Sequence, residues 1–112
     1  MLAPMTLLQK RDAERQRQRL VLFDRTREEL RAVLRDVLPA SRVIVFGSLT
    51  QRGVFNAASD IDLALFAEPA GQSVLGLMAE IGERMRRPVD LLLLEETRLK
   101  EKILREGEVW TT

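Results

Sequence analysis

Two aspartates at alternate positions, Asp60 and Asp62, stand in a run of apolar residues, and a third, Asp90, lies near the start of another such run just after Pro88. Carboxylates two residues apart on an extended strand share one face. Keeping both charged in an apolar strand is costly, because each is desolvated close to a like charge. A hard divalent cation would offset that cost, and Mg²⁺ characteristically takes one or two carboxylates while water and substrate phosphate complete its shell. Asp90 would make this a three-carboxylate cluster if its strand lies beside the one carrying Asp60 and Asp62. Upstream, Gly47-Ser48 ends the apolar run that begins at Val43. A glycine there lets phosphate approach the backbone, and the Ser48 hydroxyl and following amides can bond phosphate oxygens. An alanine at Gly47 is expected to fold, adding one methyl at a turn, while losing affinity for phosphate.

Composition prunes the alternatives. The 112-residue chain contains no His and no Cys, which excludes serine or cysteine triads, zinc held by His or Cys, and disulfides. Chemistry must run on carboxylates, hydroxyls, Lys or Arg. A net charge of +1 is too balanced to hold duplex nucleic acid by phosphate neutralisation alone, so no direct duplex binding is expected. With 46% hydrophobic and 31% charged residues, the chain is an ordinary globular domain with one modest core. Apolar runs such as Leu91–Leu94 fall far short of the roughly 20 residues a bilayer crossing needs. The N-terminus places its few apolar residues before its charges, the reverse of a secretory leader. A cytoplasmic location with no membrane contact is the expectation.

The elements that must position these groups are legible as periodicities. Residues 10–19, KRDAERQRQR, are almost wholly polar and predict a solvated helix face or a frayed arm, so residues 1–22 are set apart as a basic N-terminal helix or arm from a domain over 23–112. Leu30, Val33, Leu34, Val37 and Leu38 form one helical stripe that Pro39 ends. Arg42–Phe46 predicts a buried strand, and Asp60–Phe66 a second with Ile61, Leu63 and Leu65 on the face opposite the aspartates. Val74, Leu77, Met78, Ile81 and Met85 give another helical stripe. PVDLLLL is a third strand, Thr97 is expected to cap a last helix running through Arg105 to a stop at Gly107, and EVW adds a short edge strand. The sum is α/β: a single small domain with a mixed β-sheet and helices packed on it.

The segment FGSLTQRGVFNAASDIDLALF followed by RRPVDLLLL resembles the minimal nucleotidyltransferase family of the DNA polymerase β-like superfamily, whose members are often paired with HEPN toxins. The resemblance covers roughly Phe23 to Gly107 and implies a polymerase β-like nucleotidyltransferase palm over residues 23–112. It implies that Gly47 and Ser48 bind a nucleoside triphosphate, that Asp60 and Asp62 hold two Mg²⁺ ions, and that Asp90 activates the acceptor or ligates metal beside it. It also implies ATP as substrate, a two-metal transfer of AMP, and a HEPN-type toxin as partner, modified on a tyrosine. This chain contains no Tyr, so such a tyrosine belongs to another protein. The residues after Gly107 leave no room for an acceptor domain, so the acceptor is expected from a partner docking at the mouth of the sheet and along Arg15, Arg17 and Arg19. One departure is the loop Leu49–Ser59, eleven residues where the family has about ten, which is expected to bulge near Arg52 and Gly53. Two other readings stay open: an antitoxin that acts by binding alone, and a small-molecule nucleotidyltransferase whose acceptor cleft an oligomer could complete.

Overall fold

The computed structural model describes residues 4–112. Its elements run α1 (Leu7–Val37), β1 (Arg42–Phe46), β2 (Ile61–Leu65), α2 (Val74–Met85), β3 (Val89–Leu93), α3 (Lys100–Glu106) and β4 (Glu108–Thr111), with 3₁₀ turns at Gly47–Thr50 and Leu94–Glu96. The four strands form one sheet in the order β3-β2-β1-β4. β1 pairs antiparallel with β2 and β4, whereas β2 and β3 run parallel. A parallel pair needs a crossover, and α2 supplies it. This is the small mixed-sheet α/β domain that the periodicities predict.

Strand alternation decides which helix covers which face. Val43, Val45, Ile61, Leu63, Leu65, Val89 and Leu91 join the α1 and α2 stripes in the main core. All five residues of the predicted α1 stripe are buried, and Leu77, Ile81 and Met85 of the α2 stripe with them. On the other face Ile44, Ala64 and Leu94 pack with Ile103 of α3. α3 is short, so it covers only part of that face. Asp62 and Asp90 alternate with the main-core residues and therefore belong to this second, partly open face.

Of the two alternatives for residues 10–19 the structure shows the solvated helix, whereas the start of α3 differs from expectation. The charged run 10–19 is continuous with the apolar stripe, and α1 spans 31 residues with no break between 22 and 23; Met1–Ala3 of the 1–22 segment lie outside the described residues. A capping box starts it, with Thr6 accepting from the Gln9 amide and the Gln9 side chain accepting from the Thr6 amide, which satisfies amides that the helix itself cannot. Helical geometry places Arg15 and Arg19 one turn apart but sends Arg17 to another side, where it pairs with Glu14 at 3.1 Å, so the three arginines make no common face. Thr97 is not the α3 cap: the Leu94–Glu96 turn intervenes, α3 begins after Leu99, and the Thr97 hydroxyl accepts from the Leu99 amide.

One charged residue sits within the α1 stripe and ties three elements together. Arg27 donates two hydrogen bonds to the Glu108 carboxylate of β4, at 2.7 and 2.9 Å, and a third to the Leu49 carbonyl at 2.8 Å. Its guanidinium also lies over the rings of Phe23 and Trp110. The Arg27 hydrogen bonds hold the Glu108 pKa below its ordinary value of 4.5. Trp110 Nε1 is itself buried without a hydrogen-bond partner among the described residues; it lies near enough to Glu108 to favour the charged carboxylate without adequate bonding geometry. Arg27→Ala should cost about 2–3 kcal/mol, because a planar bidentate partner is lost and the Leu49 carbonyl loses its donor. A carboxylate whose folded pKa is depressed adds stability above its unfolded pKa, and that stability disappears as pH falls through the folded value. Denaturant melts from pH 7 downward should therefore show the wild-type advantage over Arg27→Ala shrinking below about pH 4.5; a constant difference would show that Arg27 acts by packing alone.

Candidate functional site

β2 and β3 bring the carboxylates together by register. Asp62 is the direct cross-strand partner of Asp90, and neighbouring strands in a sheet lie about 4.7–4.9 Å apart. Asp60 stands just before β2 and is exposed. Burial raises the Asp62 pKa above its ordinary 3.8, and the Asp90 and Asp60 charges raise it further. None of the three forms an ion pair among the described residues. The donor set is all oxygen and its charge is uncompensated, which suits a hard divalent cation. Nevertheless, no three acidic side chains among the described residues converge closely enough to enclose a metal ion.

Gly47 lies directly against this carboxylate. Its φ is +72°, in the region that side chains with a Cβ avoid, and a Cβ there would fall 2.3 Å from Asp62 Oδ2. The expectation that alanine merely adds a methyl at a turn is therefore wrong on two counts: the backbone would be strained, and Asp62 would be displaced. Phe46 pairs with Asp62 across β1 and β2, so the end of β1 delivers Gly47 to the aspartate. The turn that follows is held by the Thr50 hydroxyl donating to the Gly47 carbonyl at 2.7 Å and, from outside, by Arg27 on the Leu49 carbonyl. Ser48 is half-buried in this turn, and its carbonyl accepts from the Gln51 amide.

The loop from Gln51 to Ser59 is ordered by contacts within and beneath it. Phe55 is fully buried, and Arg87, from the segment before β3, stacks on its ring while donating to the carbonyls of Asn56, Ala57 and Ser59. Asn56 closes the turn, its side chain accepting from the Ala58 amide and its own amide donating to the Ser59 hydroxyl. Near the expected bulge, Gly53 takes φ +89° and Arg52 pairs with Asp24 at 3.2 Å. Arg87 thus holds the approach to Asp60 from the segment that leads into the strand carrying Asp90.

A cleft of about 790 Å³ opens beside Gly47 and Asp62, bounded on its far side by Leu99, Lys102, Ile103 and Glu106 of α3 and its approach. Ser48, Asp60 and Asp90 do not line it. A second cleft of about 840 Å³ lies elsewhere, between the α2 N-terminus and β3, and contains none of the predicted site residues. Sequence reasoning missed Arg27, Arg87 and Lys102. Arg27 could have been found as a lone cation one helical turn from Phe23 and Leu30 on an otherwise apolar stripe. Arg87 and Lys102 carry no such local signal, since chain segments distant in sequence give them their surroundings.

A family model described as Polymerase beta, Nucleotidyltransferase matches residues 28–111. Among solved structures, a crystal structure of a toxin-antitoxin with AMP-PNP superposes with a TM-score of 0.59 at 25% identity, over 76% of this chain and 73% of that one. The toxin-antitoxin MntA-HepT superposes with a TM-score of 0.56 at 21% identity, over 80% and 73% respectively, a likeness of fold. No curated protein sequence matches the chain.

The raised Asp62 pKa has a direct consequence for stability. An acid whose folded pKa lies above its unfolded one costs nothing below the unfolded value and destabilises increasingly as pH rises through the folded value. Without metal, Asp62→Asn should therefore melt higher than wild type at pH 7, with the gain vanishing below about pH 3.8. A markedly lower melting temperature at pH 7 would show that the carboxylate is a structural acceptor. Gly47→Ala should lose about 1–2 kcal/mol from its left-handed backbone alone. In an Asp62→Ala background the remaining loss should shrink to that backbone component; full additivity in the double-mutant cycle would exclude the contact between the two positions.

Proposed function

The chain belongs to the polymerase beta nucleotidyltransferase family, and from that premise we propose that it transfers AMP from ATP to a hydroxyl of a partner protein, as an antitoxin that neutralises a HEPN ribonuclease toxin in the cytoplasm. The observation that carries the reading is the in-register Asp62–Asp90 pair with Gly47 seated against Asp62. That arrangement concentrates negative charge beside a glycine turn where backbone can approach a phosphate. The fold shared with a toxin-antitoxin crystallised with AMP-PNP supports both the nucleotide and the kind of partner. Tyrosine is absent from this chain, so a tyrosine acceptor would come from the partner.

In this reading Asp60, Asp62 and Asp90 would hold two Mg²⁺ ions, which when bound would neutralise the triphosphate and the leaving pyrophosphate. The Gly47-Ser48 turn orients the phosphate chain through backbone amides and the Ser48 hydroxyl. Asp90, exposed at the edge strand, accepts the proton of the incoming hydroxyl. The hydroxyl oxygen then forms a bond to the α-phosphorus, the bond from that phosphorus to the bridging oxygen breaks, and pyrophosphate leaves. Arg87 and Arg27 act at a distance from the reacting atoms, by fixing the two loops that carry Asp60 and Gly47.

Incubation with ATP, Mg²⁺ and a HEPN-type toxin, followed by intact mass measurement, tests the proposal. The toxin should gain the mass of one AMP, and Asp90→Asn or Asp62→Asn should slow the addition by a hundredfold or more, in the range typical of a lost catalytic group. A toxin inhibited without any added mass would replace transfer with inhibition by binding alone.

A further inference from the structure

The wall of the Gly47–Asp62 cleft opposite the carboxylates has a charge pattern that the proposed reaction leaves unused. Three acidic residues line the cleft, Asp62, Glu106 and Glu108, and Lys102 is the single cation among its described lining residues. Glu108 is already engaged by Arg27. Glu106 has a remote ion pair with its neighbour Arg105 at 3.9 Å. Lys102, one helical turn before Glu106, forms no ion pair among the described residues, although an i, i+4 pair was open to it. Its place in space is fixed even though its side chain is exposed. The next residue, Ile103, is buried against the sheet, and Gly107 ends α3 so closely that a Cβ would lie 2.5 Å from Ile44 and 2.6 Å from the Ile103 carbonyl.

An unpaired ammonium carried by a fixed backbone position on one wall, across from a glycine turn and a carboxylate, suits a polyanion lying between them. We infer that Lys102 binds the outer phosphates of the nucleotide, so that α3 supplies the single cation of a cleft otherwise lined by the carboxylates of Asp62, Glu106 and Glu108. Lysine serves this purpose as a compact point charge on a flexible stem. The inference rests on the nucleotide reading of the cleft and adds to it the residue that distinguishes triphosphate from monophosphate.

Calorimetry with ATP, ADP and AMP in the presence of Mg²⁺ provides the test, using wild type, Lys102→Met, Lys102→Arg and, as a distant control on α1, Lys10→Met. Lys102→Met should bind ATP roughly three- to tenfold more weakly, the scale of one solvent-accessible charge contact. AMP affinity should stay unchanged, Lys102→Arg should recover most of the loss, and added salt should narrow the gap between wild type and Lys102→Met. Equal ATP affinity in wild type and Lys102→Met, with binding still abolished by Asp62→Asn, would overturn the role of Lys102 and leave the nucleotide site standing. Absence of nucleotide binding to the wild type would overturn both.

Discussion

The parallel register of β2 and β3 is the constraint from which the rest of the site follows. Once Asp62 and Asp90 are direct neighbours in a parallel pair, a helix must cross over between the strands, and the core face of that helix must be apolar. Mutual repulsion of the two carboxylates then raises the Asp62 pKa on top of its burial. Packing alone gives no reason to keep a half-buried carboxylate beside a like charge on the partly open face of a sheet. Its cost makes sense where a cationic ligand relieves it, because binding then recovers free energy stored in the ligand-free fold.

Arginines at two distant points turn that constraint into a defined geometry. Arg87 grips three carbonyls of the loop before Asp60, and Arg27 grips the turn after Gly47 while also pairing with β4. Loops satisfy their own polar groups poorly, and here each carries a chemical group whose position matters. A guanidinium is well suited to the task, since its planar fork can serve several carbonyl or carboxylate oxygens while its face rests on an aromatic ring. Phe23, Trp110 and Phe55 provide those rings, which accounts for three of the chain's five aromatic residues.

Local pattern revealed what local physics determines. The alternation Ile61-Asp62-Leu63 announced a strand with its carboxylate on the face away from the core, and the Leu30–Leu38 spacing announced a helical stripe; in both, side-chain direction follows from backbone period alone. The same logic could not reveal the left-handed backbone of Gly47, because its necessity comes partly from Asp62, fifteen residues later. Nor could it reveal that Thr97 is displaced from its capping position by a 3₁₀ turn, since the path between β3 and α3 is set by where Ile103 can reach Ile44. The capping box Thr6-x-x-Gln9 was present in the sequence, but a run of charges after it masked a helix start. The positions of Arg27, Arg87 and Lys102 in the site depend on tertiary neighbours, and composition carries no trace of them.

The overhang of α1 leaves one helix with two thermodynamic characters. Residues 23–37 are anchored through Phe23, Leu30, Val33, Leu34 and Val37, whereas every described residue before Leu20 is exposed. The anchored half can open only when the core opens, so the opening free energy of its amides approaches that of global unfolding. The free half is sustained by its capping box, a few side-chain pairs and continuity with a helix already nucleated. Its amides open by fraying from Thr6 inward, independently of the sheet, so that a single unbroken rod grades from coil-like lability at one end to core-like protection at the other.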